Sequence, residues 1–224
     1  MKNDSTKGKF ILFDLDGVLF DSLNLKGEIF IKVFSSYSQF SSEIMQFHLA
    51  NGGVPRRRKI EHIYKLVTES TPNEETLDAL TVKFSNILNS RLSDIKLFPG
   101  ASQVLASLTK MGIKLFSISS MPTIEAESIL QNLEIKKFFN GILDTSSGKI
   151  EAVSKFIQRN SILNNNIIYV GDSREDFICA KTFDLTFILV NNENFDEVDR
   201  NTLKIQTLKE LTSAVSLLEK KEKC

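Results

Sequence analysis

The chain has 224 residues, 42% hydrophobic and 25% charged, which suits one folded domain or a core carrying a smaller insertion and excludes disorder as the main state. Lysine plus arginine and aspartate plus glutamate number 28 each, so no global field draws the chain to nucleic acid or to an anionic membrane. Two cysteines, Cys179 and Cys224, make no disulfide framework, and only two histidines, His48 and His62, leave little room for histidine triads or zinc sites. Carboxylates are therefore the expected agents of any chemistry.

The first nine residues are polar and lysine-rich and lead into the short apolar run Phe10–Phe13, so we expect neither a signal peptide nor a membrane span, and a cytoplasmic chain. Phe10–Phe13 reads as a buried strand that stops in Asp14-Leu15-Asp16-Gly17. Carboxylates two residues apart project to the same side of a strand, here at its carboxyl end, where open α/β sheets bind ligands. Taken alone, Asp16-Gly17 reads equally as a turn.

From about Phe20 to Lys96 the apolar spacing is helical throughout: Leu25, Ile29 and Val33, then Ile60, Ile63 and Leu66, then Leu77, Leu80 and Phe84. Three or four helices exceed what one crossover needs, so residues 20–96 are expected to form a helical domain inserted after the first strand. Within it, Gly52-Gly53 permits a tight turn, Pro55 suits the first helical position, and Arg56, Arg57, Arg58 and Lys59 fall in the first helical turn. Basic residues there oppose the helix dipole unless an anion visits. Four charges in a neutral chain, with no interleaved aromatics, make too thin a footprint for nucleic acid.

Pro99-Gly100 marks the return to the core, followed by a helix at Ala101–Met111 that Gly112 ends. Four further runs read as strands, Ile113–Ile118, Phe138–Leu143, Ile167–Val170 and Thr186–Val190, with helical stretches at Ile124–Leu133 and Ile150–Phe156 among them. The alternation predicts a doubly wound, Rossmann-like parallel α/β core made of residues 1–19 and 97–224. Asn164-Asn165-Asn166 and Asn191-Asn192 read as turns, and Leu208, Leu211, Val215 and Leu218 as the stripe of a last helix.

Three of these strands end in groups with chemistry. Ser119 and Ser120 follow the second strand, where a hydroxyl and the N–H groups entering the next helix suit phosphate oxygens; a serine cap is the plainer alternative. Lys149 follows Asp144-Thr145-Ser146-Ser147-Gly148, unfavourably placed for the dipole at a helix start, although most single lysines there are solvated. Ile167–Val170 ends in Gly171-Asp172-Ser173-Arg174-Glu175-Asp176, where Asp176 faces back to Asp172 or caps the helix. Asp14, Asp16, Asp172 and Asp176 at one edge would carry a charge of −4, which needs a cation. Magnesium fits, because it takes a few carboxylate oxygens and keeps waters that a phosphate can replace. Ser146–Ile150 is not a phosphate-binding P-loop: six residues separate Gly141 from Gly148, and Ile150 has no hydroxyl. No G-x-G-x-x-G occurs either.

The block Asp14-Leu15-Asp16-Gly17-Val18-Leu19-Phe20-Asp21-Ser22, the serine strand end, the lysine and Gly171-Asp172-Ser173-Arg174-Glu175-Asp176, in that order, resemble the haloacid dehalogenase superfamily, in its phosphatase branch with a helical cap after the first strand. The resemblance implies that Asp14 is the nucleophile forming an aspartyl-phosphate, and that Asp16 protonates the leaving oxygen and then activates water. It implies Ser119, Ser120 and Lys149 as phosphoryl ligands and Asp14, Asp16 through its carbonyl, and Asp172 as magnesium ligands, with Asp176 orienting the lysine and the metal's waters. Lys155, six residues further along, is the fallback for the lysine. Close carboxylates are expected to keep the proton of Asp16 available near neutral pH. Asp16 itself speaks against dehalogenase chemistry, which lacks that second acid. Gly53-Val54-Pro55-Arg56 is similar to the G-V-x-R of β-phosphoglucomutases and implies Arg56 as a substrate contact in the cap, with Arg57, Arg58 and Lys59 on a solvated face. The expectation is a magnesium-dependent phosphatase of a small phosphorylated metabolite, foremost a sugar phosphate, acting as a monomer or small homo-oligomer without nucleic acid or membrane. A phosphomutase and a catalytically silent binding protein are the alternatives.

Overall fold

The computed structural model describes residues 9–52, 54–190, 199 and 202–221, the last three by backbone only. The Asn191-Asn192 turn, Gly53 of the Gly52-Gly53 turn and the end of the charged tail with Cys224 lie outside the described residues. Among the described residues six parallel strands make the main sheet in the order β5-β4-β1-β6-β7-β8: β1 Phe10–Phe13, β4 Lys114–Ser117, β5 Phe139–Ile142, β6 Ile167–Gly171, β7 Thr186–Val190 and β8 Leu203–Ile205. Period-2 alternation sorts the two faces. Ile11, Phe13, Val170 and Ile188 join one apolar core with helices α5 (Ala101–Lys110), α6 (Thr123–Asn132) and α9 (Leu211–Lys221). Leu12, Tyr169 and Leu189 join a second core with α7 (Lys149–Asn160) and α8 (Arg174–Thr182). Helices on both faces of a parallel sheet make the doubly wound arrangement.

The chain leaves β1 through a two-residue strand β2 (Phe20–Asp21) and returns through β3 (Lys96–Leu97), which pairs with β2 antiparallel. Between them run four helices: α1 Leu23–Val33, α2 Ser41–Ala50, α3 Arg56–Thr68 and α4 Glu74–Ser90. Their apolar stripes meet around Ile29, Phe30, Ile44, Ile63 and Phe84. Strands β2, β3 and β8 have no counterpart in the sequence reading, because two or three residues carry too little alternation to register. Pro55 stands one residue before α3, with ψ 140°, instead of opening it. Among the described residues no helix is long and apolar enough to cross a membrane.

Candidate active site

Strand order reverses at β1: the chain crosses to β4 and β5 on one side and to β6, β7 and β8 on the other, which opens a crevice at the carboxyl ends. The Asp14 amide donates to the Val170 carbonyl at 2.9 Å and that of Ile118 to Phe13 at 2.8 Å, so β1, β4 and β6 end level. Asp14 follows β1, Ser119 and Ser120 follow β4, Lys149 opens α7 and Asp172 follows β6. All five, with Asp16 and Arg56, line one cavity of about 250 Å³ between the sheet edge and the helical segment.

Asp176, fully buried, organises the cluster. Its Oδ1 accepts from Lys149 Nζ at 2.7 Å and from the Tyr169 hydroxyl at 2.8 Å. Its Oδ2 accepts from the Ser173 hydroxyl and amide while the Ser173 hydroxyl accepts from the Asp176 amide, so Asp176 is at once the capping-box acid of α8 and the partner of Lys149. Lys149 Nζ also lies 3.1 Å from Asp14 Oδ1. Burial by itself would lower the pKa of this lysine, but Asp14 and Asp176 outweigh burial and hold it above its ordinary value, so the ammonium stays charged. Lys155, the fallback, pairs with Glu151 on the outside of α7.

Oxygens of Asp14, Asp172 and Asp176 lie within 4.8 Å of one another. Burial raises the carboxyl of Asp14, and Asp176 and Asp172 add to the rise against the pull of Lys149, leaving it well above its ordinary value. Burial and Asp176 likewise push Asp172 up to about 7, against Lys149. Clustered carboxylates that resist ionisation, with oxygen donors only, suit a hard divalent cation. Both oxygens of Asp176 are taken by protein donors, which leaves Asp14 and Asp172 as the side chains to hold it. The backbone is shaped to their arrangement: Gly17 has φ +85°, and a Cβ there would overlap the Asp172 carboxylate.

The side chain of Asp16 lines the same cavity but is held by other partners. It accepts from the Ser22 amide at 2.8 Å, the Ser22 hydroxyl at 2.7 Å and the ammonium of Lys26 in α1. Burial raises its pKa, but Lys26 and Ser22 together prevail and lower it. This corrects the expectation that neighbouring carboxylates keep its proton: the nearest charge is a cation. Ser119 is buried, with its Oγ 3.5 Å from the Met121 amide, while Ser120 is exposed on the cavity wall, and Pro122, not a serine, precedes α6.

The helical wall holds what sequence reasoning missed. Arg56 lines the cavity, but its Nη2 already donates to both carboxylate oxygens of Glu125 of α6, its Nη1 donates to Ser85 at 3.1 Å and the guanidinium stacks 4.2 Å above the Phe84 ring. Arg57 and Arg58 are at the surface, paired with Glu74 and Asp78 and with Glu61. Lys59 is not on a solvated face: it is 3% exposed, on the inward stripe with Ile60, Ile63 and Val67, and donates to His48 Nδ1 at 3.1 Å and the Gly52 carbonyl at 3.2 Å. Dipole arguments treat a helical turn as a ring and ignore its inward face. Lys26, His48, Lys59 and Glu125 have no motif to announce them.

Residues 11–190 match the haloacid dehalogenase-like hydrolase family. A phosphoglycolate phosphatase of Pasteurella multocida is 25% identical over 190 residues, 79% of this chain and 83% of the relative. A phosphorylated carbohydrates phosphatase of Thermotoga maritima is 25% identical over 178 residues, 77% and 80% of the two chains. The structure of a haloacid dehalogenase-like hydrolase of Streptococcus pneumoniae superposes with a TM-score of 0.72 at 19% identity, covering 94% of this chain and 99% of that one.

Proposed function

The chain belongs to the haloacid dehalogenase-like hydrolase family as a phosphatase, and on that premise we propose that it hydrolyses a small phosphorylated metabolite with magnesium, through an aspartyl-phosphate on Asp14. The observation that carries this reading is Lys149, held between Asp176 and Asp14 beside Asp172 at the switch point of the sheet. A fixed cation among buried carboxylates offers a phosphate dianion one positive group and places for its remaining charge to be neutralised.

In the proposed reaction a carboxylate oxygen of Asp14 attacks phosphorus, the bond to the leaving oxygen breaks, and that oxygen takes a proton from Asp16. Water then attacks the aspartyl-phosphate, giving its proton to Asp16, and Asp14 is freed. Lys149, Ser119 and Ser120 hold the phosphoryl oxygens, and Asp176 acts only by fixing Lys149. Asp14, Asp172 and the main-chain carbonyl of Asp16 would hold magnesium, which would supply neutralisation of the phosphoryl charge. The contact with Lys26 keeps Asp16 ionised, the form that accepts a proton from water. Protonating the leaving group requires that contact to loosen.

Phosphorylated carbohydrates head the substrate panel, on the strength of the sugar-phosphate expectation and the Thermotoga relative. The phosphomutase alternative asks Arg56 to grip a second phosphate, whereas its guanidinium is committed to Glu125. The test is incubation with magnesium and a panel of phosphomonoesters, metal omitted in the control. Steady release of inorganic phosphate that Asp14→Asn abolishes supports hydrolysis, and isomerised product without release overturns it.

A further inference from the structure

Among the described residues three cations line the cavity on its helical side, and two are neutralised within the protein: Lys26 by Asp16 and Arg56 by Glu125. Lys59 is the third. Among the described residues no carboxylate pairs with it, and its two partners are neutral acceptors, so one of its three N–H groups has none. A buried ammonium without a counter-ion costs free energy that hydrogen bonds to neutral groups offset only in part.

The neighbours hold this charge in place. His48 Nε2 lies 2.9 Å from the Leu23 carbonyl, which only accepts, so the ring proton sits on Nε2 and Nδ1 is left to accept from Lys59. Burial first, and then the charge of Lys59, push His48 down to about 4, so the ring is neutral when Lys59 is charged. Burial and Lys26 push Lys59 itself down to about 8, with Asp16 pulling the other way and Arg56 adding to the fall, which still leaves an ammonium at neutral pH. Phe30, packed on His48, and Phe84, beneath Arg56, line the same cavity.

We propose that Lys59, fixed by His48, is the specificity residue for a second anionic group of the substrate, a carboxylate or a second phosphate, on the helical wall of the cavity that Asp14 also lines. The assignment rests on the phosphatase reading of the cavity and deepens it: the substrate is a small phosphomonoester whose leaving group carries its own negative charge. It moves the expected anion contact from Arg56, whose charge Glu125 has already spent, to a residue three positions along the same helix face.

The test compares esters that differ only in that charge: 3-phosphoglycerate against glycerol 1-phosphate, and fructose 1,6-bisphosphate against fructose 6-phosphate. Wild-type kcat/KM is expected to favour the charged member of at least one pair by about 10-fold or more, through KM, the size of one charge-assisted hydrogen bond. The carboxylate pair and the phosphate pair separate the two sources of the anion. Lys59→Met, close in volume and expected to raise the thermal midpoint by removing a buried charge, brings that ratio to near one, while Lys59→Arg keeps part of it. Equilibrium binding of the same pairs to the magnesium-free protein needs no turnover. A binding preference for the charged ester without phosphate release would overturn the phosphatase reading and leave the anion site standing. Phosphate release with equal kcat/KM in both pairs, no binding preference, or a preference that survives in Lys59→Met would each overturn the role of Lys59.

Discussion

Asp172→Asn tests the metal site without any substrate. Asp172 has its carboxyl raised from the ordinary 3.8 to about 7, by burial first and then by Asp176, against the pull of Lys149. Between those pH values the folded protein holds a proton that the unfolded chain has lost, so the stabilisation is complete below pH 3.8 and disappears as pH rises through about 7. At ~1.4 kcal/mol for each pH unit, the metal-free protein carries a penalty on the order of 4 kcal/mol at pH 8, with relaxation and cavity water reducing what is measured. The asparagine variant removes this penalty. In EDTA its stability, read by urea unfolding at pH 5 and pH 8, is expected to exceed that of the wild type by a few kcal/mol at pH 8 and by much less at pH 5. Magnesium then reverses the order, stabilising the wild type at pH 8 by filling the place of the proton and leaving the variant almost unmoved. A variant less stable than the wild type at pH 8 in EDTA, or equal stabilisation of both by magnesium, would refute the reasoning.

Gly17→Ala places a methyl group against the Asp172 carboxylate at φ +85°, so calorimetry is expected to show magnesium affinity reduced by tenfold or more, with stability lowered by about 1–3 kcal/mol. Glu125→Ala leaves the partly buried guanidinium of Arg56 without its carboxylate and lowers unfolding free energy by about 3 kcal/mol, whereas the double variant with Arg56→Met recovers most of that loss. Asp176→Asn removes the charge that fixes Lys149, and kcat in phosphate release is expected to fall by about 100-fold with KM changed little. A similar loss for Lys155→Met, which sits on the outer face of α7, would show that the two lysines had been assigned the wrong way round.

The parts of this protein that local chemistry specifies were legible in its sequence. Apolar runs such as Phe10–Phe13 and Ile167–Val170 are buried on both faces and therefore read as parallel strands, and two such strands that each stop in carboxylates mark one edge of the sheet as a candidate ligand site. Order along the chain placed Asp14, Ser119, Lys149, Asp172 and Asp176 at strand ends, because in a doubly wound sheet each carboxyl end faces the same crevice. Tertiary structure decided where charges find partners. Asp16 and Lys26 are ten residues apart, Arg56 and Glu125 sixty-nine, and only folding brings either pair together, reversing the expected shift of Asp16 and occupying the arginine. The inward turn of α3 likewise buries Lys59 beside His48 while Arg57 and Arg58 reach the surface, since helix phase against a neighbouring core, and not the run of basic letters, fixes which of four adjacent cations loses its water.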